Sequence, residues 1–380
     1  ALLLLLLLLL IPTGCGNSES TAEDTIRIGV FEPMSGLDEE AAKQEVDGIE
    51  LAYSLYPTVL GKKVELVYAD NKSEIGSAKL AAQKLVNANV EVVLGSFGNT
   101  LSLVGGEYFL EAEIPAIGIT CNNPLVTTGN PYYFRVCLVD SFQGVMAAKY
   151  VFNELGEQKI AIMKALDDDY QAALAQHFSD KLASLTNNKD AVACTVEYAK
   201  GTSNFRSQLE AIRQSQAKVV FLTGTVEQAS LIVKQAREDE MDTLFIGTHL
   251  WDQESLLQKL GDAAEGLIFT SYSDIESTNI DNTQEFLDAY RELYGEVEEP
   301  KSAVALGFDA YLLALDSIKK QAEETNKSLR DVIQDTKEFQ GVTGSITFNE
   351  QGDPIKPVVF ITVKNGEFIY KYTAMPEWGK

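Results

Sequence analysis

Ile26-Arg27-Ile28-Gly29-Val30 reads as a short buried strand, and an apolar stripe at helical spacing follows it (Val46, Ile49, Leu51, Ala52, Leu55). Val64-Glu65-Leu66-Val67-Tyr68 is then a second strand, and the cycle repeats. A helix is predicted over Ile75–Asn87 with Ala78, Leu80, Ala81, Leu85 and Val86 inward, a strand over Val90–Gly95, a helix over Leu101–Glu111 and a strand over Pro115–Thr120. The pattern restarts near residue 141. Helices are predicted over Phe142–Leu155, Tyr170–Leu185, Phe205–Ser215 and Glu227–Glu238. Strands are predicted over Lys159–Lys164, Ala191–Tyr198, Val219–Thr223, Leu244–Gly247 and Leu267–Ser271. Three helices follow (Thr283–Tyr294, Ala303–Thr325, Ser328–Thr336), and strands close the chain at 345–349 and 357–372, with Asn365-Gly366 as a hairpin turn.

Such alternation predicts parallel sheets covered by helices on both faces, an α/β class. Two blocks with no Gly/Ser linker between them predict two lobes that pack closely. The length, 380 residues, suits two domains. In open α/β sheets ligands sit beyond the carboxyl ends of the strands, so the residues just after each strand carry the functional information.

The formal charge of −25 argues against nucleic acid and against an acidic membrane surface as partners. Enzyme motifs are absent: there is no Gly-x-Ser-x-Gly elbow, no Gly-x-x-x-x-Gly-Lys phosphate loop and no His-Glu-x-x-His. Two histidines leave little material for general base chemistry, so a binding protein without cofactor or metal is expected. Cys15, Cys121, Cys137 and Cys194 show no metal-ligand spacing. A Cys121–Cys137 bridge is left open.

Leu2–Leu10 and Ile11 form an apolar run too short to span a bilayer, and it fits the core of a secretory signal. Gly14-Cys15 resembles a bacterial lipobox, in which the cysteine is lipidated; Pro12 stands where an aliphatic residue is usual. Residues 1–15 are therefore expected to be a signal, 16–24 a polar tether, and the folded part to begin near Thr25 outside the cytoplasm.

The post-strand segments resemble those of type I periplasmic binding proteins of the branched-chain amino-acid receptor group. The match rests on Gly29-Val30-Phe31-Glu32-Pro33-Met34-Ser35-Gly36, Asp70-Asn71-Lys72-Ser73, Gly95-Ser96-Phe97-Gly98-Asn99 and Thr120-Cys121-Asn122-Asn123-Pro124. It continues through Asp140-Ser141-Phe142-Gln143-Gly144, Gly247-Thr248-His249-Leu250-Trp251-Asp252 and Gly307-Phe308-Asp309-Ala310. The resemblance implies two Rossmann-like lobes joined by a three-stranded hinge, with crossings near 138–141, 270–273 and 342–346. Lobe 1 is then 25–140 plus 272–343, and lobe 2 is 141–271 plus 344–380.

It also implies a monomeric, lipid-anchored receptor at the cell surface that closes on a small amino acid or related polar solute. The closed form would be read by an ABC permease and its ATPase. A sensory receptor for amides or other solutes is the alternative on the same fold. Carried over by position, Asn99 and Thr120 would take the ligand carboxylate, Asn122 would contact the ammonium, and Tyr170 would close over the ligand. Thr225 stands where a second aromatic is common. His249 stands where an acidic residue pairs with the ammonium, and a neutral imidazole cannot replace that charge. Asp252 and the Asp167–Asp169 cluster are alternative acids. Trp251 is read either as stacking on the ligand or as packing on the cleft floor.

Overall fold

The computed structural model describes residues 25–157, 159–166, 168–271, 281–295 and 302–374. In the first lobe β1 (Thr25–Glu32), α1 (Glu39–Leu55), β2 (Thr58–Val59), β3 (Lys62–Asp70) and α2 (Ile75–Asn87) are followed by β4 (Val92–Gly95), α3 (Asn99–Glu111), β5 (Ala116–Gly118) and β6 (Tyr133–Arg135). In the second lobe, α4 (Asp140–Asn153) leads into β7 (Ile160–Ala165), α5 (Asp169–Thr186), β8 (Val192–Tyr198), α6 (Arg206–Ser215), β9 (Val219–Leu222), α7 (Val226–Glu238), β10 (Leu244–Gly247), α8 (Glu254–Leu260) and β11 (Ile268–Ser271). The chain then supplies α9 (Asp281–Tyr294), α10 (Ser302–Glu323), α11 (Leu329–Gln334), a β12–β13 hairpin (Phe339–Gly341, Gly344–Ile346) and the antiparallel pair β14 (Val358–Lys364) and β15 (Glu367–Ala374).

The two sheets run β2-β3-β1-β4-β5-β6 and β15-β14-β11-β10-β9-β7-β8. Strands β1, β3, β4, β5 and β6 are parallel, as are β7 to β11. In each lobe the first parallel strand sits inside the sheet with later strands on both sides. That reversal of strand order opens a crevice at the carboxyl ends, beyond β1 and β4 in one lobe and β7 and β9 in the other.

Helix α10 lies against α1 at glycine positions. A Cβ at Gly48 would stand 2.0 Å from the Val304 carbonyl oxygen, and one at Gly307 would stand 2.4 Å from the Glu45 carbonyl oxygen. Only glycine permits that backbone approach. Val304, Ala305 and Phe308 on α10 and Ile49 and Ala52 on α1 complete the seam, all fully buried.

The chain leaves the first lobe after β6 and leaves the second sheet after Ser271; the expected crossing at 270–273 runs into residues outside those described. The last passage comes later than the expected boundary after residue 343. Asp353 pairs with Arg135 of β6 at 2.8 Å, and buried Lys356 Nζ donates to the Val136 carbonyl at 3.2 Å and to Thr343 Oγ1. Residues through 356 thus lie against first-lobe chain, and the second sheet resumes at Val358.

One other expectation is corrected, and the bridge left open between Cys121 and Cys137 is settled. Leu80 is 71% exposed, because it sits a residue off the α2 stripe formed by Ala78, Ala81, Ala82 and Leu85. Cys121 and Cys137 are both free thiols, with Cys137 Sγ donating to the Cys121 carbonyl at 3.5 Å.

Candidate functional site

The first-lobe half-site is built on the turn from β4 into α3. Gly98 holds φ at +80°, which a side chain would strain, and no side chain caps the helix there. The amide groups of the first α3 turn therefore keep their donor capacity, the arrangement that attracts anions. Ser102 Oγ donates to the carbonyls of Ser96 (3.0 Å) and Gly98 (2.7 Å), fixing the turn from beneath. Asn71 Nδ2 donates to Ser96 Oγ at 2.8 Å.

Asn99 is bound to the loop after β5. Its Nδ2 donates to Asn122 Oδ1 at 3.1 Å, and the Asn123 N–H donates to its Oδ1 at 2.9 Å. That loop is held in turn by fully buried Arg135, whose Nη1 donates to the carbonyls of Cys121 (2.7 Å) and Asn123 (2.9 Å). The structure thus brings Asn99 and Asn122 together, both half-buried. Thr120 stands at the head of the same loop, and its hydroxyl donates to Glu45 of α1.

Glu45 and Glu32 are both 0% exposed. Glu32 ends β1 and accepts the Phe97 N–H on Oε2 at 2.7 Å. Glu32 Oε1 and Glu45 Oε2 are buried with no hydrogen-bond partner among the described residues. Burial, with Glu45 close by, lifts Glu32 well above the usual carboxylate range, and burial lifts Glu45 to about 7.

The second-lobe half-site gathers at the ends of β7, β10 and β11. His249 Nδ1 lies 2.9 Å from Gln143 Oε1 and 3.3 Å from Tyr170 Oη. Because an amide oxygen only accepts, the proton sits on Nδ1. Thr270 Oγ1 donates to the same Gln143 oxygen at 3.2 Å. Burial pushes the imidazole down to about 3, so it is neutral at physiological pH. Gln143 itself is buried, and its Nε2 has no partner among the described residues.

Thr225 caps α7 in a capping box with Gln228. Asp168 likewise caps α5, accepting from the Gln171 N–H at 2.9 Å, so this aspartate of the acidic cluster is committed to the helix start. Gln171 ties the loops together, accepting from the Ala165 N–H (2.9 Å) and donating to Gln228 Oε1 (3.2 Å). Asp252 accepts from Ser271 Oγ at the end of β11.

Trp251 does not line the cleft. It is 0% exposed, lies over Gly247 in the second-lobe core, and donates from Nε1 to the Gly224 carbonyl at 2.8 Å. Of the two readings left open for Trp251, ligand stacking and packing on the cleft floor, its burial and its bond to Gly224 fit the packing one.

Residues 25–367 match the family model described as periplasmic binding protein. The chain belongs to that family. It is similar to the leucine-binding protein LivK of Thermotoga maritima (30% identity, 93% of this chain and 99% of that one, TM-score 0.77). It is also similar to LivJ of Streptococcus pneumoniae, solved with isoleucine (26% identity, 93% of this chain and 100% of that one, TM-score 0.76). A Leu/Ile/Val-binding protein homolog of Brucella abortus is 26% identical over 350 residues, 90% of this chain and 91% of the relative. This periplasmic binding protein is therefore a type I member of the branched-chain amino-acid receptor family, and the expected two-lobed α/β fold stands. Members of the family are substrate-binding proteins of ABC transporters that work in the periplasm or outside the cell, and they are not enzymes. Among the described residues no helix is long and apolar enough to cross a membrane.

Sequence reasoning gave Gln143, Arg135, Glu32 and Glu45 no role. For Glu45 a signal existed: it lies four residues before Ile49 and seven before Ala52, on the apolar stripe of α1. An ionisable group on such a stripe is a buried one that needs a partner.

Proposed function

We propose that this chain captures a small carboxylate-bearing solute, an amino acid or a close relative, between its lobes by hinge closure. It then presents the closed form to an ABC permease driven by its ATPase. What carries this reading is the uncapped start of α3, where free backbone N–H groups stand beside Asn99 and Thr120 at the carboxyl edge of the first sheet. The opposite end of the ligand would meet Tyr170, His249 and Gln143. Closure follows physically if each lobe supplies part of the polar cage, since only the closed form then satisfies both halves. The chain would act as a monomer, anchored by a lipid on Cys15 after removal of the leucine-rich signal.

A second reading is favoured by the neutral His249–Gln143 pair. With His249 standing where an acidic residue would pair with an ammonium, a solute lacking an α-amino group fits the second lobe, and the protein is then a receptor for amides or plain carboxylates.

A thermal-shift screen over amino acids, amides, polyamines and small carboxylates tests both. A ligand at 100 times its Kd should add about 2.7 kcal/mol of stability. Stabilisation by leucine or valine supports the first reading, and stabilisation only by compounds without an α-amino group supports the second. If no compound in the panel raises the melting temperature, the capture reading fails. Membrane partitioning of the wild type, lost in Cys15→Ser, tests the anchor.

A further inference from the structure

The loop that carries Asn122 is held by groups far from it in sequence. Fully buried Arg135, the last residue of β6, grips it at three points. Its Nη1 donates to the Cys121 carbonyl (2.7 Å) and the Asn123 carbonyl (2.9 Å), and its Nη2 donates to Thr127 Oγ1 (2.7 Å). From Nε the guanidinium forms an ion pair with Asp353 Oδ1 at 2.8 Å. Thr127 closes the ring, since its hydroxyl donates to the same Asp353 oxygen at 2.9 Å. Asn122 thus lies between two carbonyls held by a single guanidinium, whose planar fork fixes their direction as well as their distance.

We infer that Asp353 is a positioning residue for ligand capture: through Arg135 it presets the loop after β5, and with it the Asn99–Asn122 contact, before a ligand arrives. Asp353 supplies the countercharge that keeps a fully buried guanidinium at this place. The guanidinium in turn holds the two carbonyls that flank Asn122, and Asn122 Oδ1 accepts from Asn99 Nδ2 at 3.1 Å. A half-site ordered in advance does not have to be ordered at the moment of binding, which preserves affinity.

The carboxylate is itself delivered with little freedom. Residues 349–353 form a tight turn, in which the Asn349 N–H donates to the Asp353 carbonyl and the Asp353 N–H donates to Asn349 Oδ1, both at 2.9 Å. The turn covers the free edge of β6, the last strand of the first sheet, where the Gly352 carbonyl accepts the Arg135 N–H at 3.2 Å. Gly352 holds φ at +85°, and a Cβ there would stand 2.8 Å from the Tyr133 carbonyl oxygen, so glycine is what lets the turn come this close. Lys356 pins the next residues by donating to the Val136 carbonyl at 3.2 Å. The bend of the last crossing therefore begins after Lys356, and the bracket around Asn122 belongs to the first lobe whether the cleft is open or shut.

This inference rests on the capture reading for its ligand and on the protein alone for the positioning. Nitrogen–proton NMR of the unliganded, isotope-labelled protein decides the positioning. Asp353→Asn keeps an oxygen for Thr127 and removes the charge from beside Arg135. The side-chain amide signals of Asn99 and Asn122 should move in that variant, and also in Thr127→Val, which removes the bridging hydroxyl. They should stay in place in Asp309→Asn, which loosens the same crossing through Val342 and Thr343. Signals unmoved by Asp353→Asn, or moved as far by Asp309→Asn, overturn the inference; if Asp353→Asn does not fold, Thr127→Val decides by the same signals. Calorimetric titration with leucine and with isocaproate, its deaminated counterpart, decides the link to capture. Each compound that binds the wild type should bind Asp353→Asn about tenfold more weakly, equivalent to about 1.4 kcal/mol, because the loop must then be ordered on binding. An affinity equal to that of the wild type overturns the link. If neither compound binds the wild type, the capture reading fails for both, while the Asn99 and Asn122 signals still decide the positioning.

Discussion

The imidazole Nδ1 of His249 sits 2.9 Å from Gln143 Oε1, joining the loop after β10 to the first turn of α4. The two residues are far apart in sequence, and they meet because β10 and β11 run parallel and end beside the start of α4. Their pairing places a neutral imidazole at this point of the second lobe.

With the imidazole pushed down to about 3 in the fold and near 6.5 when unfolded, the native state favours the neutral ring. The stability this contributes is fully present above pH 6.5 and is lost as pH falls toward 3. Proton NMR should show no His249 titration between pH 5 and 8. A His249→Gln protein should lose less stability than the wild type between pH 6.5 and 4. A ring titrating near 6.5 contradicts the neutral imidazole.

Replacing His249 by glutamate should restore a charge partner for an α-ammonium. Affinity for amino acids over the matching deaminated acids should rise by about 1.5–3 kcal/mol, the worth of a hydrogen bond to a charged group. Calorimetry on paired compounds measures it, and an unchanged ratio would place the ligand's nitrogen elsewhere.

Trp251→Ala should cost about 3–5 kcal/mol in urea denaturation, because it empties a fully buried site. Trp251→Phe keeps most of the volume and loses the bond to the Gly224 carbonyl. It should leave ligand affinity within about twofold, a change of about 0.4 kcal/mol. A large loss of affinity at normal stability would return this ring to the cleft.

At the last crossing, buried Lys356 donates to Thr343 Oγ1, and Thr343 donates to Asp309. Asp309 also accepts the N–H groups of Val342 (2.6 Å) and Thr343 (2.9 Å). Lys356→Met strands that carboxylate without its cation and should cost about 3–5 kcal/mol. The double variant with Asp309→Asn should cost less than the two single changes added together, as shared networks do. Strict additivity in chemical denaturation would dissolve the network.

Gly48→Ala should destabilise the first lobe by about 1–3 kcal/mol through overpacking against the Val304 carbonyl. A neutral effect on melting would mean that α1 and α10 are not in backbone contact.

Much of the fold was legible because the alternation is written in side-chain spacing. Val219–Leu222 and Leu244–Gly247 are short apolar runs that can only be buried strands, and Ile75–Asn87 was read to the residue. Elements without such patterning escaped notice. Strand β2 is two residues, β12 is three, and α8 is seven residues long and follows a loop. Asn99, Thr120, Asn122, Tyr170 and His249 follow strands and were singled out by resemblance at those positions; the structure places Asn99 against Asn122 and His249 against Tyr170. Trp251 could not be decided from sequence because a residue after a strand can point down as easily as up. The Glu32–Glu45 pair was invisible because one partner ends a strand and the other lies on a helix, and only tertiary packing makes them neighbours.

The α1–α10 seam has a consequence for how the molecule is made. The helix that completes the first lobe is synthesised only after the whole parallel part of the second sheet, which in turn waits for Val358 to Ala374 to close its edge. The first sheet can pair within residues 25–135, but the α1 face that α10 covers stays open until α10 is made. A fragment ending at Ser271 should stay soluble only as an open, protease-sensitive chain.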